Sequence, residues 1–377
     1  MLTIAINALS ALRGGSQTYL HHFLDNLPND IDKVILITGK NHHVFEKYDS
    51  DKICVRFIDF ASKNLLARSF WEVVSLDKFL EDYKVDIYYS PGGLMLTNFK
   101  NREFTTATAL RNMLPLEKHE RQRFPLFSFS RFKLWLLKYL FILSYKKSDK
   151  VIFISEYSRN VVKSYIPEIE NKSVVIHHGL SDLFKKNLEP EGLGIDFLHK
   201  NKFYLYVSIL DVYKAQKEVI KSFKNLYDNG FQYPLVLAGP KYNKYGDEVV
   251  ELISEYGLSK SVFYLGQVEY EMLPQLYASS RALIFASSCE CCPNILLEKL
   301  SAGKAVFCSN KNPMPEFGGD APIYFDPYDI SELSNKILNF EKDYYCLSEK
   351  LGAKSREQAQ KFDWCKTVQS TINFLKK

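Results

Sequence analysis

Several absences narrow the function of this 377-residue chain before any motif is read. No uncharged apolar run approaches the roughly 20 residues needed to cross a bilayer. Residues 1–10 lack the basic start and long apolar core of a secretory signal, so no signal peptide is expected. The seven cysteines (Cys54, Cys289, Cys291, Cys292, Cys308, Cys346 and Cys365) are odd in number and repeat no spacing. That excludes a disulfide framework and points to reduced thiols in a cytosol. Cys289, Cys291 and Cys292 have no second pair at the spacing a structural zinc requires, so no metal is expected there. No G-x-G-x-x-G follows the first strand of either half, which disfavours a dinucleotide-dependent dehydrogenase. There is no short repeat, no low-complexity tract and no nucleic-acid-binding motif, so nucleic acid is not an expected partner.

What is present is a core-forming composition. Apolar residues make up 46% of the chain and charged residues 25%, as in a folded soluble protein, and 377 residues exceed what one core serves. Two domains are expected. The net charge of +5 is modest, but residues 118–150 hold nine basic residues against only Glu120 and Asp149. This local excess of seven positive charges leaves the remainder near −2 and marks a field attractive to phosphate-rich partners.

Short, β-rich runs that are apolar along their whole length recur through the chain, as buried parallel strands do. In the first half they are residues 2–7, 33–38, 53–58, 85–90, 104–110, 150–155 and 173–178. In the second they are residues 203–209, 234–239, 262–266, 282–287 and 304–309. Helical spacing separates them, over 17–27, 67–83, 156–165, 215–229, 246–257, 271–280 and 293–302, and residues 329–377 read as helices. Residues 187–196 read as a loop. Strand and helix alternating at this spacing make the fold α/β, with two Rossmann-like sheets facing a cleft. The expected division is 1–180, 181–360 and a terminal segment 361–377. Ligands in such sheets bind beyond the carboxyl ends of the strands.

One stretch there holds two acids eight positions apart, "SSCECCPNILLEKLSAGKAVFCSN" over residues 287–310. Glu290 falls in the loop after a strand. Pro293 suits the first position of the helix that follows, and Gly303 suits its C′ end. Glu298 then lies about one and a half turns inside, so the acids occupy loop and helix rather than one face. Amides around Asn294 and Ile295 favour an anion at the helix start. Carboxylates accept hydrogen bonds from vicinal hydroxyls, so acids flanking an anion site suit a nucleotide sugar. An ordinary loop acid and a solvated helix acid are the plainer reading of the same pair.

The stretch resembles the E-x7-E signature of the retaining GT-B glycosyltransferases of family four. The likeness continues through "LYVSILDVYKAQKEVIKSF" (205–223), "VFYLGQVEYEMLPQLYASSRALIFAS" (262–287) and "MPEFGGDAPIYFDPYD" (314–329). In the first half "GGSQTYL" (14–20), "LRNMLPLE" (110–117), "FISEYSRN" (153–160) and "VIHHGLSD" (175–182) are similar too. The resemblance implies that Glu290 contacts donor-sugar hydroxyls, that Glu298 holds the ribose and that Lys214 meets the diphosphate, with Glu290 and Lys214 the catalytic pair. Cys292, Pro293, Asn294 and Ile295 would line the donor, and Gly14 and Gly15 would bring backbone amides near the diphosphate and acceptor. The family's arginine shortly before the loop lysine is absent from "VSILD" (207–211), and Arg111, followed by Asn112, stands where many members place an acceptor-side histidine.

The activity so implied is retaining transfer of a hexose-type sugar from a UDP- or GDP-sugar to a hydroxyl of a saccharide or lipid-linked acceptor. It belongs to the synthesis of cell-surface polysaccharide, lipopolysaccharide or glycolipid. A nucleotide-sugar epimerase of the same fold, or a catalytically silent partner subunit of another glycosyltransferase, are the alternatives. No cofactor and no metal are expected, since Asp30-Ile31-Asp32 and Asp49-Ser50-Asp51 read as surface turns. His177 and His178 are either cleft contacts or an ordinary strand boundary, and His119 reads as solvated. Residues 118–150 form either an interfacial helix on the inner face of the plasma membrane or core helices with charged rims. By the same resemblance "KFDWCKTVQSTINFLKK" returns to the first domain.

Overall fold

The computed structural model describes residues 2–10, 15–95, 97–99, 102–190 and 199–377. Gly14 and much of the predicted loop over 187–196 lie outside these residues. The chain divides into two compact units, Met1–Gly179 with Asp363–Lys377, and Leu180–Phe362.

The first unit is built on a parallel seven-stranded sheet of β1 (Thr3–Asn7), β2 (Lys33–Thr38), β3 (Ile53–Phe57), β4 (Ile87–Ser90), β5 (Thr105–Leu110), β6 (Lys150–Phe153) and β7 (Ser173–Val175). Its strand order is β3-β2-β1-β4-β5-β6-β7. Alternation along each strand feeds two cores. Ile4 and Ile6 join a layer with Tyr19, Phe23 and the terminal helix Trp364–Lys376, whose Val368, Ile372 and Leu375 are buried there. Ala5 faces the other way, into a layer with Trp71, Leu80, Tyr88 and Met95. Asp363 caps that terminal helix by accepting from the Lys366 amide at 3.0 Å.

The second unit holds a parallel six-stranded sheet of β8 (Tyr204–Val207), β9 (Leu235–Ala238), β10 (Val262–Tyr264), β11 (Ala282–Phe285), β12 (Val306–Ser309) and β13 (Ile323–Phe325), ordered β10-β9-β8-β11-β12-β13. These strands are short, and the central ones are buried on both faces, which is why the sequence reads as unbroken apolar runs. In both sheets the strand order reverses beside the first strand. The switch points therefore lie between β1 and β4 and between β8 and β11, and loops leaving those ends open the crevice where such sheets take ligands.

One expectation is corrected. The single helix expected over 67–83 is two, Leu65–Val74 and Leu76–Asp82. They are broken at Ser75, whose φ of −118° departs from helical geometry after two β-branched valines. Residues 323–325, to which the sequence pattern assigns no element, pair with β12 as an edge strand.

Candidate active site

The loop leaving β8 runs through Ser208 to Lys214 and is braced at every step. Asp211 accepts from the Val212 amide at 2.8 Å and from the Asn243 amide group at 3.0 Å. Gln216 reaches back to Ser208 Oγ at 2.9 Å and to the Ile209 carbonyl at 2.8 Å, and the Tyr206 hydroxyl donates to the Lys214 carbonyl. Ala215 then holds the left-handed conformation, φ 55°, a strained position for a residue with a Cβ. The loop leaving β11 is tied to the first one. Ser288 donates its amide (2.8 Å) and its hydroxyl (3.1 Å) to the Tyr213 carbonyl.

This bracing brings the two residues expected to be catalytic together. Lys214 and Glu290 form a mostly buried ion pair across the β8–β11 switch point. The ammonium also lies 5.0 Å from the Tyr213 ring and 5.7 Å from the Phe285 ring.

Glu298 sits on the helix Asn294–Ser301, as the spacing predicts, but it is buried rather than solvated. It accepts from the Tyr270 hydroxyl at 3.1 Å. Burial pushes its carboxyl from the usual 4.5 up to about 7, against the opposing pull of that hydrogen bond and of Lys299. The same burial, helped by the charge of Glu298, pushes the Tyr270 and Tyr277 hydroxyls far up, so both stay protonated near the acid, and Tyr270 is the one that donates to it.

Two details of the helix start differ from expectation. Pro293 stands one position before the helix, as its N-cap, with φ −81° and ψ 70°. Its carbonyl accepts from Leu296 at 2.8 Å and Leu297 at 3.2 Å. The Asn294 amide is not spare, because it closes a tight turn onto the Cys292 carbonyl at 3.0 Å. Ile295 remains in the first turn, where amides have no intrahelical acceptor. Cys292 is half-buried, and its thiol donates to Asn294 Oδ1 at 3.3 Å. Gly303 takes the expected C′ role with φ 65°, and its amide donates to the Leu300 carbonyl at 3.1 Å.

Sequence reasoning missed Lys299. Its side chain is fully buried, and its Nζ donates to the carbonyl of Val207, the last residue of β8, at 2.9 Å. It lies 5.0 Å from the rings of Tyr206 and Phe285. Burial pulls its pKa well below the usual lysine value, with the nearby Lys214 charge acting in the same direction and Glu298 and Glu290 opposing. The signal available in the sequence was its register, since it falls among Leu296, Leu297 and Leu300 on an apolar helix. Tyr270 gave no such signal, being 28 positions from its partner.

In the first unit Arg111 follows β5. Its guanidinium lies 3.1 Å from the Tyr19 ring centroid and donates to the Tyr89 hydroxyl at 3.2 Å, while its Nε and Nη1 find no hydrogen-bond partner among the described residues. Asn112 turns its side chain back onto the Leu114 amide at 3.2 Å. Gly15 opens the helix Gly15–Asp25, exposed, with nothing within 4 Å of where a Cβ would stand. His178 is a core residue, its ring 5.5 Å from Tyr19 and 5.1 Å from Trp364, and the His177 carbonyl accepts from Thr367 at 2.7 Å. The two D-x-D stretches are structural, Asp49 bonding the Val55 amide at 2.8 Å and Asp30 pairing with Lys376 at 2.5 Å. Among the described residues no cluster of His, Cys, Asp and Glu has the makings of a metal site, and no helix is long and apolar enough to cross a membrane.

Comparison with known proteins bears on this geometry. Residues 13–182 match the family model described as Glycosyltransferase Family 4, and residues 194–361 match that described as Glycosyl transferases group 1. O-antigen chain mannosyltransferase B of Escherichia coli is 32% identical over 176 residues, 46% of this chain and 45% of that protein. The serotype-specific mannosyltransferase WbdA of Escherichia coli is 27% identical over 240 residues, 61% of this chain and 29% of its own. The match thus spans less than half the length of either curated relative. A glycosyltransferase from Rickettsia africae ESF-5 superposes with a TM-score of 0.76 at 17% identity, covering 100% of this chain and 98% of its own. Anabaena Alr3699/HepE, solved with UDP and glucose, does so with 0.73 at 19% identity, covering 100% of both chains. At such identity the solved structures establish the fold alone, and that fold is GT-B.

Proposed function

We propose that this chain, which carries in its two halves the domains of a GT-B glycosyltransferase, moves a hexosyl group from a nucleoside diphosphate sugar to a saccharide hydroxyl with retention at the anomeric carbon. The observation that carries the reading is the Lys214–Glu290 pair at the β8–β11 switch point, with buried Glu298 on the helix just beyond it. The product would be a cell-surface polysaccharide, and the names of the curated relatives favour mannose as the sugar. UDP in the solved neighbour and the mannosyltransferase names of the relatives leave both UDP- and GDP-sugars as donors to be tried.

In this reading the diphosphate displaces Glu290 as the counter-ion of Lys214. Glu290 is then released to accept hydrogen bonds from sugar hydroxyls, while Glu298 and Tyr270 hold the ribose. The side chains at the site supply no dedicated nucleophile. The C1–O bond to the phosphate breaks, the acceptor oxygen bonds to C1 on the same face, and the acceptor proton passes to the departing phosphate oxygen. Lys214 and the Ile295 amide stabilise the charge that develops on that phosphate, the interaction that grows between ground and transition state. No metal is invoked, because the lysine and first-turn amide provide the positive field. Arg111 and Asn112 are assigned to the acceptor, and the Gly15 amide to the diphosphate side of the donor.

The test is transfer from UDP- and GDP-sugars to saccharide acceptors, with the anomeric configuration of the product read by NMR. Retention, with turnover lost in Lys214→Ala, supports the proposal. Donor turnover without acceptor would make the chain an epimerase, and donor binding with no turnover of any kind would make it a silent subunit.

A further inference from the structure

The helix Phe129–Lys147 is apolar on both sides. One side is core, with Leu134, Phe141, Ser144 and Tyr145 buried and the Tyr145 ring 6.2 Å from that of Phe153 in β6. At about 100° per residue, Phe129, Phe132, Leu136, Tyr139 and Leu143 fall on the opposite side as one continuous seam, and all five are exposed. Phe127 extends the seam before the helix and is 96% exposed. Exposed Lys133 falls on one flank of the seam, Arg131 and Lys138 on the other, and exposed Lys146 at its end in the last turn. A helix that is hydrophobic all round belongs in a large core or in lipid, and here only half of it has found a core.

A second helix on the same side of the sheet repeats the pattern. In Leu65–Val74 the residues Leu66, Phe70, Val73 and Val74 are exposed, Leu66 by 82%, and the ring of exposed Phe60 lies 6.0 Å from that of Phe70. Met95, Thr97 and Asn98 join the two helices. Thr97 donates to the Glu72 carbonyl at 2.9 Å, the Met95 amide to Ser144 Oγ at 2.9 Å, and Lys147 to Asn98 Oδ1 at 2.7 Å. Both seams therefore belong to one face of the first unit. An apolar expanse of this kind marks an interaction site rather than ordinary surface.

We propose that this two-helix face seats the protein on an anionic lipid leaflet, with the seams entering the headgroup region and the flanking cations meeting lipid phosphates. Charge decides between lipid and protein as the occupant. Protein interfaces are depleted in lysine, whereas the helix Phe129–Lys147 carries five basic residues and no acid. Aromatic side chains beside lysine and arginine are the pairing that suits the bilayer boundary. The inference goes beyond the donor-site reading and uses none of its residues.

The chain carries its own probe. Trp135 is 46% exposed on the seam, whereas Trp71 and Trp364 are 9% and 4% exposed. Full-length protein is mixed, without nucleotide, with vesicles of phosphatidylcholine containing phosphatidylglycerol. Trp135 emission is expected to shift to the blue and to be quenched by brominated acyl chains, and salt is expected to weaken binding. Phe132→Ser with Leu136→Ser, Phe70→Ser with Val74→Ser, and Lys133→Glu with Lys146→Glu are each expected to lower the partition coefficient about tenfold or more, at unchanged melting temperature. Three results would overturn the proposal: vesicle binding no weaker to pure phosphatidylcholine, binding indifferent to all three double variants, or lipid-free dimers that the seam variants dissolve. None of these depends on transfer activity, so failure here is distinct from failure of the glycosyltransferase reading.

Discussion

Lys214 and Glu290 neutralise each other across the point where the order of the second sheet reverses, one from the loop after β8 and one from the loop after β11. A buried pair contributes little net stability when intact but costs several kcal/mol when one partner is removed. Lys214→Met is therefore expected to destabilise the chain by about 2 kcal/mol, because Glu290 keeps some solvent. Lys214→Met with Glu290→Gln is expected to recover most of that loss while turnover stays down by about 100-fold. Denaturant melts of the two single variants and the double, set beside their transfer rates, check the cycle.

Glu298 makes stability depend on pH with a definite sign. Its folded-state value of about 7 exceeds the ordinary 4.5, so the folded chain binds the proton more tightly than the unfolded one. The contribution of this carboxyl to stability is then greatest below pH 4.5, falls as pH rises from 4.5 to 7, and is flat above, a total cost of about 3 kcal/mol. Glu298→Gln is expected to lose this decline and to be more stable than the native chain above pH 7. Ribose hydroxyls donate to the ionised carboxyl, so donor affinity of the native chain is expected to fall as pH drops below 7, and the Gln variant to bind weakly at every pH. Paired melts and nucleotide titrations between pH 5 and pH 8 check both, allowing about one unit for the position of the midpoint.

Lys299 should show the opposite dependence. Burial lowers its pKa, so the folded chain gives up a proton that the unfolded chain keeps, and the resulting cost shrinks as pH rises toward the unfolded value of 10.5. Lys299→Met is expected to be the more stable protein at pH 7, by about 1 kcal/mol or more, with its advantage narrowing by pH 10. A gap that does not change with pH would contradict the assignment of that cost to the amine.

Gly239 follows β9 with φ 134°, and a Cβ there would stand 2.0 Å from the Ser208 carbonyl oxygen. Gly239→Ala must push the β8 loop that carries Lys214. It is expected to cost about 2 kcal/mol in stability and to lower turnover more than donor affinity, which steady-state kinetics and a melt together resolve. Gly303→Ala meets the Arg356 side chain at 2.2 Å with φ 65°, on the far end of the helix that holds Glu298, and is expected to cost a similar amount.

The architecture was legible in the sequence because parallel strands buried on both faces leave apolar runs that no alternation interrupts, as "FYLYVSI" and "ALIFAS" illustrate. β13 escaped notice because three residues at a sheet edge, set among Gly, Asp and Pro, carry too little pattern. The break at Ser75 was hidden because apolar spacing continues across it. The placement of Glu290 in a loop and Glu298 on a helix was readable from Pro293 and Gly303. The burial of Glu298, the hydroxyl of Tyr270 and the buried amine of Lys299 were not, since each depends on which distant segment covers the helix. Spacing likewise gave no sign that Leu65–Val74 turns an apolar seam outward, because periodicity reports a seam and not the side it faces.

The central claim is that the second unit binds a nucleoside diphosphate sugar where the loops after β8 and β11 meet the start of the helix Asn294–Ser301. A crystal structure of the full chain with UDP or GDP tests this most directly. The account predicts the diphosphate between Lys214 and the Ile295 amide, with the ribose hydroxyls on Glu298. Nucleotide bound elsewhere, with the Lys214–Glu290 pair undisturbed, would contradict it.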